Sequence, residues 1–244
     1  MKQNVWITGA SGGIGAAIAK RMAADGFGVL LQYHQNESAA KALEQELIAM
    51  GADAACVMAD VGDADQMQKA FAFAEERFGH IDVLVHSAGI AKQQLFTDTD
   101  YASWRQMMQV HLDGAYFACQ AVLPAMIRRK AGQIILVSSM WGQVGASCEV
   151  AYSTAKAGLI GMTKALAKEV GLSGVRVNCV APGAIDTPMN GHLDESAMQA
   201  LCDETPLGRI GTPKEVAGAV AFLASADASF ITGQVISPNG GFVI

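Results

Sequence analysis

The stretch NVWITGASGGIG, residues 4 to 15, decides the fold. Val5, Trp6 and Ile7 form a short apolar run with strand character, and the glycines begin directly after it. Gly9, Gly13 and Gly15 give the spacing G-x-x-x-G-x-G, and AAIAKRMAAD (16–25) then continues with helical periodicity. A strand that turns on glycines into a helix brings backbone close to whatever binds there. It also leaves the helix's first N–H groups free to meet an anion such as a pyrophosphate.

The same alternation repeats along the chain. Short β-rich runs recur at 27–33, 54–60, 81–89, 132–139, 174–183 and 233–241, separated by helical stretches such as AAKALEQELIAM (39–50), MQKAFAFAEERF (67–78) and EVAGAVAFLAS (215–225). Nearly continuous apolar strands alternating with helices predict a parallel sheet covered on both faces. The expectation is one α/β domain over residues 1–244, a doubly wound parallel β-sheet of about seven strands flanked by helices. In such sheets ligands bind beyond the carboxyl ends of the strands.

Composition narrows the classes of function. Of 244 residues 51% are hydrophobic, ample for a core, and 17 basic against 23 acidic residues leave a net charge of −6. That balance argues against a nucleic-acid or anionic-membrane surface and for small-molecule chemistry. The cysteines at 56, 119, 148, 179 and 202 are odd in number and lack CxxC spacing, so neither a disulfide framework, a zinc site nor any other metal is expected. We expect a reducing, cytoplasmic setting. The start MKQNVWITGASGG shows no signal-peptide pattern, and no apolar run reaches the roughly 18 residues of a membrane helix.

The end of the second strand bears on the choice of dinucleotide. NAD sites usually carry an acid there for the ribose hydroxyls, but QYHQNES (32–38) places Gln32, Tyr33, His34, Gln35 and Asn36 before the first acid, Glu37. A carboxylate would repel a 2′-phosphate, so its absence permits NADP(H), though no arginine stands by to clamp that phosphate. Asp60 suits the adenine amino group or, equally, the N-cap of the following helix.

A second cluster lies in SCEVAYSTAKAG (147–158). In a helix Tyr152 and Lys156 share a face one turn apart, with Glu149 close to that face on the turn before. Together with TGASGGIG, HSAG (86–89), SS (138–139), YSTAK (152–156) and APGAIDTPM (181–189), this ordered set resembles the short-chain dehydrogenase/reductase family over essentially the whole chain. Ser139 stands 13 residues before Tyr152, as in close relatives. The resemblance implies a Rossmann-type fold, catalytic Ser139, Tyr152, Lys156 and His111, and a homotetramer. It implies a cofactor site of Gly9, Ser11, Gly12, Gly13, Ile14, Gly15, His34, Asn36, Asp60, Val61, Ser87, Ala88, Gly89, Tyr152, Lys156, Pro182, Gly183, Ile185 and Thr187.

Charge gives the implied roles a physical basis. Free tyrosine titrates near 10, and the Lys156 ammonium together with an oxidised nicotinamide should lower that value. Tyr152 then gives its proton to a carbonyl oxygen that Ser139 hydrogen-bonds, while Lys156 also holds the nicotinamide ribose. Two positions depart from the family: VHL puts His111 where relatives carry asparagine, and HSAG puts His86 and Ser87 where NNAG is common. His86 reads either as a buried, hydrogen-bonded residue or as part of the site.

Among ketones, two substrate classes are implied. The tail GRIGTPKEVAGAVAFLASADASFITGQVISPNGG is similar to 3-oxoacyl-acyl-carrier-protein reductases, which dock an acidic carrier on basic residues. Arg128, Arg129 and Lys130 offer part of that patch or simply favourable charge at a helix C-terminus, and the second basic position reads GLSG (171–174). SSMWGQVGASCEVAYS with VHLDGAY resembles reductases of the 5-aminopentanone-modified lysine of elongation factor P. There Glu149 would meet an amine and Trp141 would stack on the alkyl chain or ammonium; alternatively Glu149 forms an ion pair in an oligomer interface. NGHLDESAMQALCDETPLGRIG (190–211) has the mixed polarity of a substrate lid. A non-catalytic dinucleotide sensor is the competing class: Ser139, Tyr152 and Lys156 argue against it, and His111 keeps it open.

Overall fold

The computed structural model describes residues 2–191 and 194–244, so His192 and Leu193 of the expected lid lie outside the described residues. The chain runs β1 (Asn4–Thr8), α1 (Gly13–Ala24), β2 (Gly28–Tyr33), α2 (Glu37–Ala49), β3 (Ala54–Met58), α3 (Ala64–Phe78) and β4 (Val83–His86). The second half runs α4 (Tyr101–Met108), a π-helical turn (Gln109–Asp113), α5 (Gly114–Arg129), β5 (Gly132–Val137), α6 (Trp141–Val144), α7 (Val150–Val170), β6 (Val175–Val180), α8 (Glu195–Glu204), α9 (Pro213–Ala224) and β7 (Val235–Ile236). The strands form one seven-stranded parallel sheet in the order β3-β2-β1-β4-β5-β6-β7.

Period-two alternation assigns each strand residue to a layer. Trp6, Leu30, Leu84 and Leu136 point to one face, against Phe71 of α3, Val122 of α5 and Leu159 of α7. Their neighbours Ile7, Leu31, Val85 and Val137 point to the other, against Ile18 of α1, Leu47 of α2 and Val220 of α9. Both faces are covered, which is why these strands are apolar throughout rather than alternating.

Two features position the site. The strand order reverses between β1 and β4, where Thr8 pairs with His86, so a crevice opens beyond these two strand ends. Between α4 and α5 the backbone takes a π-helical turn carrying His111, a device common at functional sites. The last strand is shorter than its apolar run promised. Gly233 lies at φ 71°, and after Ile236 the stretch Ser237-Pro238-Asn239 leaves the ladder for a turn through Gly240 (φ 67°) and Gly241 (φ 89°).

Candidate active site

The glycine loop is built for close approach. Gly9 takes φ 66°, and a Cβ there would stand 2.6 Å from Ala88 Cα, so the turn fits only glycine against the HSAG segment. A Cβ on Gly15 would strike the Gly9 carbonyl oxygen, which lets α1 start tight under the loop. At Gly13 it would meet Thr187 Cγ2 at 3.0 Å, so the segment after β6 folds over the loop and brings Thr187 to it.

The residues fit a dinucleotide on their own chemistry. The N-cap of α1 is Gly12, which offers its first-turn N–H groups no side chain, and that turn carries no acid. Among the described residues only the Gly9 carbonyl comes within 4 Å of a Cβ built on Gly12, so backbone lies open to an anion at the positive end of the helix. At the adenosine end His34 is half-exposed with Nε2 3.9 Å from Asp60 Oδ2, and Asn36 caps α2 by accepting from Ala39 N. Glu37 is engaged with the Tyr33 hydroxyl, whose pKa burial and this carboxylate raise. Asp60 accepts from Gly62 N at 2.9 Å, and the residue that caps α3 is Asp63, so the N-cap alternative for Asp60 is corrected. The helix starts three residues later than that alternative required. Val61 is buried against Gly114.

Beyond β5, the Ser138 hydroxyl donates to the carbonyl of Lys156 at 2.8 Å and so ties the serine turn to α7. Ser139 is 8% exposed, accepts from Trp141 N at 3.2 Å, and hydrogen-bonds the Tyr152 hydroxyl. Lys156 is buried, donates from Nζ to the Val137 carbonyl at 2.9 Å, and lies 5.5 Å from the centre of the Tyr152 ring. Burial opposes charge on both groups: Tyr152 is pushed up to about 12 and Lys156 down to about 8. In the chain alone Tyr152 stands above its ordinary value, and the expected lowering belongs to Lys156 acting together with an oxidised nicotinamide. Desolvation outweighs the Ser139 hydrogen bond, Glu149 adds its negative charge, and the ammonium is turned to Val137 rather than to the phenolic oxygen.

Serine, tyrosine and lysine meeting beside a glycine-lined crevice of a doubly wound sheet is an arrangement that known proteins share. A family model described as enoyl-(acyl carrier protein) reductase, one of the short-chain dehydrogenase/reductase models, matches residues 9–243. The chain belongs to the short-chain dehydrogenase/reductase family. It is 44% identical to the uncharacterized oxidoreductase YmfI of Bacillus subtilis, covering 99% of both chains. It is 41% identical to a 3-oxoacyl-[acyl-carrier-protein] reductase of Synechocystis, covering 98% of this chain and 96% of that one. A crystal structure of a short-chain dehydrogenase/reductase (glucose/ribitol dehydrogenase) from Brucella melitensis superposes with a TM-score of 0.92 over 100% of both chains, at 36% identity.

Within this short-chain dehydrogenase/reductase the two histidines are buried and neutral. His111 contacts Ile90 through Nε2, with the carbonyl oxygen at 2.8 Å, and crosses the Tyr152 ring edge to face at a 5.5 Å centroid distance. Burial and the nearby Lys156 charge hold its pKa well below 6.5, and its buried Nδ1 has no hydrogen-bond partner among the described residues. A Cβ on Gly89 would lie 2.5 Å from His111 Cε1, so the glycine makes room for a ring larger than asparagine. Thr8 Oγ1 accepts from the N–H groups of Ser87 and Ala88, which leaves its own hydrogen for His86 Nδ1 at 3.0 Å. The neutral His86 ring therefore carries its proton on Nε2, and burial takes its pKa down to about 3. His86 thus links the glycine loop to the strand that leads to Ser87, Ala88 and Gly89.

Glu149 stands on the turn before Tyr152, as the spacing predicted, and its carbonyl accepts from Ser153 N at 2.8 Å. Gly145 (φ 76°) and Cys148 (φ 61°) turn the chain, α7 begins at Val150, and Glu149 is its half-buried N-cap residue at φ −129°. From there its charge still reaches Tyr152. Trp141 opens α6 beside Ser139; the Pro182 carbonyl accepts from Met140 N at 2.9 Å, Gly183 N donates to the Pro238 carbonyl at 3.2 Å, and Ile185 pairs with Gly211. Arg129 is drawn back onto the Ile81 carbonyl at 2.7 Å, leaving Arg128 and Lys130 exposed, and Leu172, fully exposed, stands in the GLSG segment. Gln32 was missed: its side chain, 1% exposed, accepts from Gly9 N at 3.0 Å and donates to the Ala59 carbonyl. The signal was a polar residue inside an apolar strand, which is costly unless fully hydrogen-bonded.

Proposed function

We propose that the protein is an NADPH-dependent carbonyl reductase acting on 3-oxoacyl groups carried by acyl carrier protein. The observation that carries the reading is the hydrogen-bonded pair Ser139 and Tyr152 beside buried Lys156, opposite the uncapped glycine turn of α1. Bound NADPH supplies the hydride. Tyr152, protonated throughout the neutral range, gives its proton to the ketone oxygen, and Ser139 donates a hydrogen bond to that oxygen. Lys156 holds the nicotinamide ribose and keeps a positive charge beside the ring from which the proton leaves. Ser11, Gly12, Gly13 and Ile14 hold the pyrophosphate, and Ile185 and Thr187 the carboxamide. The 2′-phosphate is favoured by His34 and Asn36 in place of an acid, with Glu37 occupied by Tyr33. The same reading makes the protein a cytoplasmic homotetramer, with its surface of net charge −6 facing neither nucleic acid nor membrane. Among the described residues no helix is long and apolar enough to cross a membrane.

A second reading, favoured by the charge of Glu149 at Tyr152 and by exposed Leu172 where a basic residue was expected, is reduction of an amine-bearing ketone such as aminopentanone-modified elongation factor P. NADPH and NADH oxidation with an acetoacetyl thioester and with an aliphatic amino-ketone separates the two. Tyr152→Phe should lower either rate by about 10² or more. Turnover of neither ketone, or full activity in Tyr152→Phe, would favour a dinucleotide sensor.

A further inference from the structure

The chain after β7 is tied into three parts of the candidate site. Gly183 N donates to the Pro238 carbonyl at 3.2 Å, and Ser237 Oγ donates to Gln143 Oε1 of α6 at 3.1 Å. Leu207 N, past the end of α8, donates to the Gly240 carbonyl at 3.1 Å. The turn is organised on Asn239, 7% exposed: its amide donates to the Val243 carbonyl at 2.8 Å and its Oδ1 accepts from Gly241 N at 2.9 Å. Phe242 N closes the turn on the Asn239 carbonyl at 3.2 Å. That geometry sets the Phe242 ring against Trp141, centroids 5.4 Å apart and planes at 87°. The backbone N–H of Trp141 in turn donates to Ser139 Oγ.

We propose that Phe242 is a specificity-determining positioning residue: it fixes the lean of the Trp141 ring, and the aromatic corner so formed is the wall against which the alkyl substituent of the ketone lies. This rests on the ketoreductase reading. An edge-to-face pair fixes one ring only while the other is present, and Trp141 has the catalytic serine two residues before it. The Asn239 turn holds Phe242 in place against Trp141, so residues 239–243 bear on the pocket although they touch no reacting atom.

The test uses the full chain with NADPH and acetoacetyl, 3-oxohexanoyl and 3-oxooctanoyl N-acetylcysteamine thioesters, comparing wild type, Phe242→Ala and Phe242→Leu. Losing the ring contact should raise KM for the shortest ketone by about three- to tenfold, less for the longer ones, with the change falling on KM rather than kcat. Phe242→Leu should recover part of it, and the NADPH Kd from fluorescence titration should hold. A uniform loss over the series, or an NADPH Kd that rises in step, overturns the proposal. If the wild type reduces none of the three, the ketoreductase reading falls, and hydrogen exchange decides the remainder. Amides of residues 139–145 should exchange faster in Phe242→Ala, and unchanged rates there overturn the link between Phe242 and the serine turn.

Discussion

Replacing Lys156 by methionine separates what this residue does for the fold from what it does for chemistry. Burial lowers the ammonium from 10.5 to about 8, which at about 1.4 kcal/mol per pH unit makes the buried charge cost about 3 kcal/mol at pH 7. Methionine removes that cost and fills most of the volume, but it forfeits the hydrogen bond to the Val137 carbonyl, a charged bond worth roughly 1.5–3 kcal/mol. The two nearly cancel, so Lys156→Met should fold with a stability within about 1 kcal/mol of wild type at pH 7, as apolar replacements of buried charges often do. Reduction should fall by about 10² or more. The pH dependence is the sharper readout. Between about pH 8 and 10.5 the unfolded chain keeps a proton on Lys156 that the folded chain has released, so wild-type stability rises with pH there, and the variant lacks this contribution. Urea denaturation from pH 7 to 10 should show the wild-type-minus-variant difference climbing by about 2–3 kcal/mol. Cys56, Cys119 and Tyr152, all raised by burial, contribute alike to both proteins; only Cys179, whose thiol interacts with Lys156, does not cancel. A flat difference would show that Lys156 titrates at its ordinary value and refute the burial argument.

Other residues give equally direct readings. Gln32→Leu leaves Gly9 N and the Ala59 carbonyl without their partner, so denaturation should show a loss of about 2 kcal/mol or more together with a weaker NADPH Kd; an unchanged Kd would mean that the loop does not depend on this side chain. His111 is held neutral, so the kcat/KM profile should show no limb near 6.5 that disappears in His111→Asn, and finding one would place a protonated imidazole in the site. Glu149→Gln removes a negative charge acting on Tyr152, so the tyrosine should titrate lower in the ultraviolet and the preference for an amino-ketone over a neutral one should drop about tenfold. An unaltered preference with a lowered tyrosine pKa would confine Glu149 to electrostatics at Tyr152.

Much of the fold was legible because burial on both faces writes itself into composition. Val29, Leu30 and Leu31 need no alternation to be read as a strand, and the glycines after Thr8 fixed the turn that follows β1. What failed was local geometry that spacing does not encode. Residues 233–241 read as one strand because Val235 and Ile236 dominate the run, yet positive φ angles at Gly233, Gly240 and Gly241 leave only those two in the ladder. Asp60 and Asp63 are both plausible caps in sequence, and only the backbone at Asp63 (φ −112°, ψ 114°) decides between them. Glu149 does stand a turn before Tyr152, but the left-handed Cys148 that makes it the N-cap of α7 carries no mark in the spacing. The contact between Phe242 and Trp141 was invisible, since it joins the chain's end to the turn after β5 through a tail folded on a single asparagine.

The electrostatics of the site follow from one cause acting on groups of opposite kind. Water exclusion raises the acid and lowers the base, so at neutral pH Tyr152 keeps its proton and Lys156, near 8, holds its charge only by a small margin. A sequence argument from the ammonium and an oxidised nicotinamide points the other way for the tyrosine, because it counts those charges and not the loss of water around both groups. In the folded chain the ammonium is satisfied by the Val137 carbonyl, which keeps it beside the tyrosine ring without drawing the phenolic proton away. For a reductase that is the useful resting state: the proton to be donated is already loaded on Tyr152, and Ser139 already points its hydroxyl at the oxygen from which that proton will depart. Neutral His86 and His111 add no competing positive charge next to Lys156, whose burial would then cost more. The two departures from the family's usual asparagines therefore leave the charge balance around Tyr152 and Lys156 intact, which weighs for catalysis over a purely binding role.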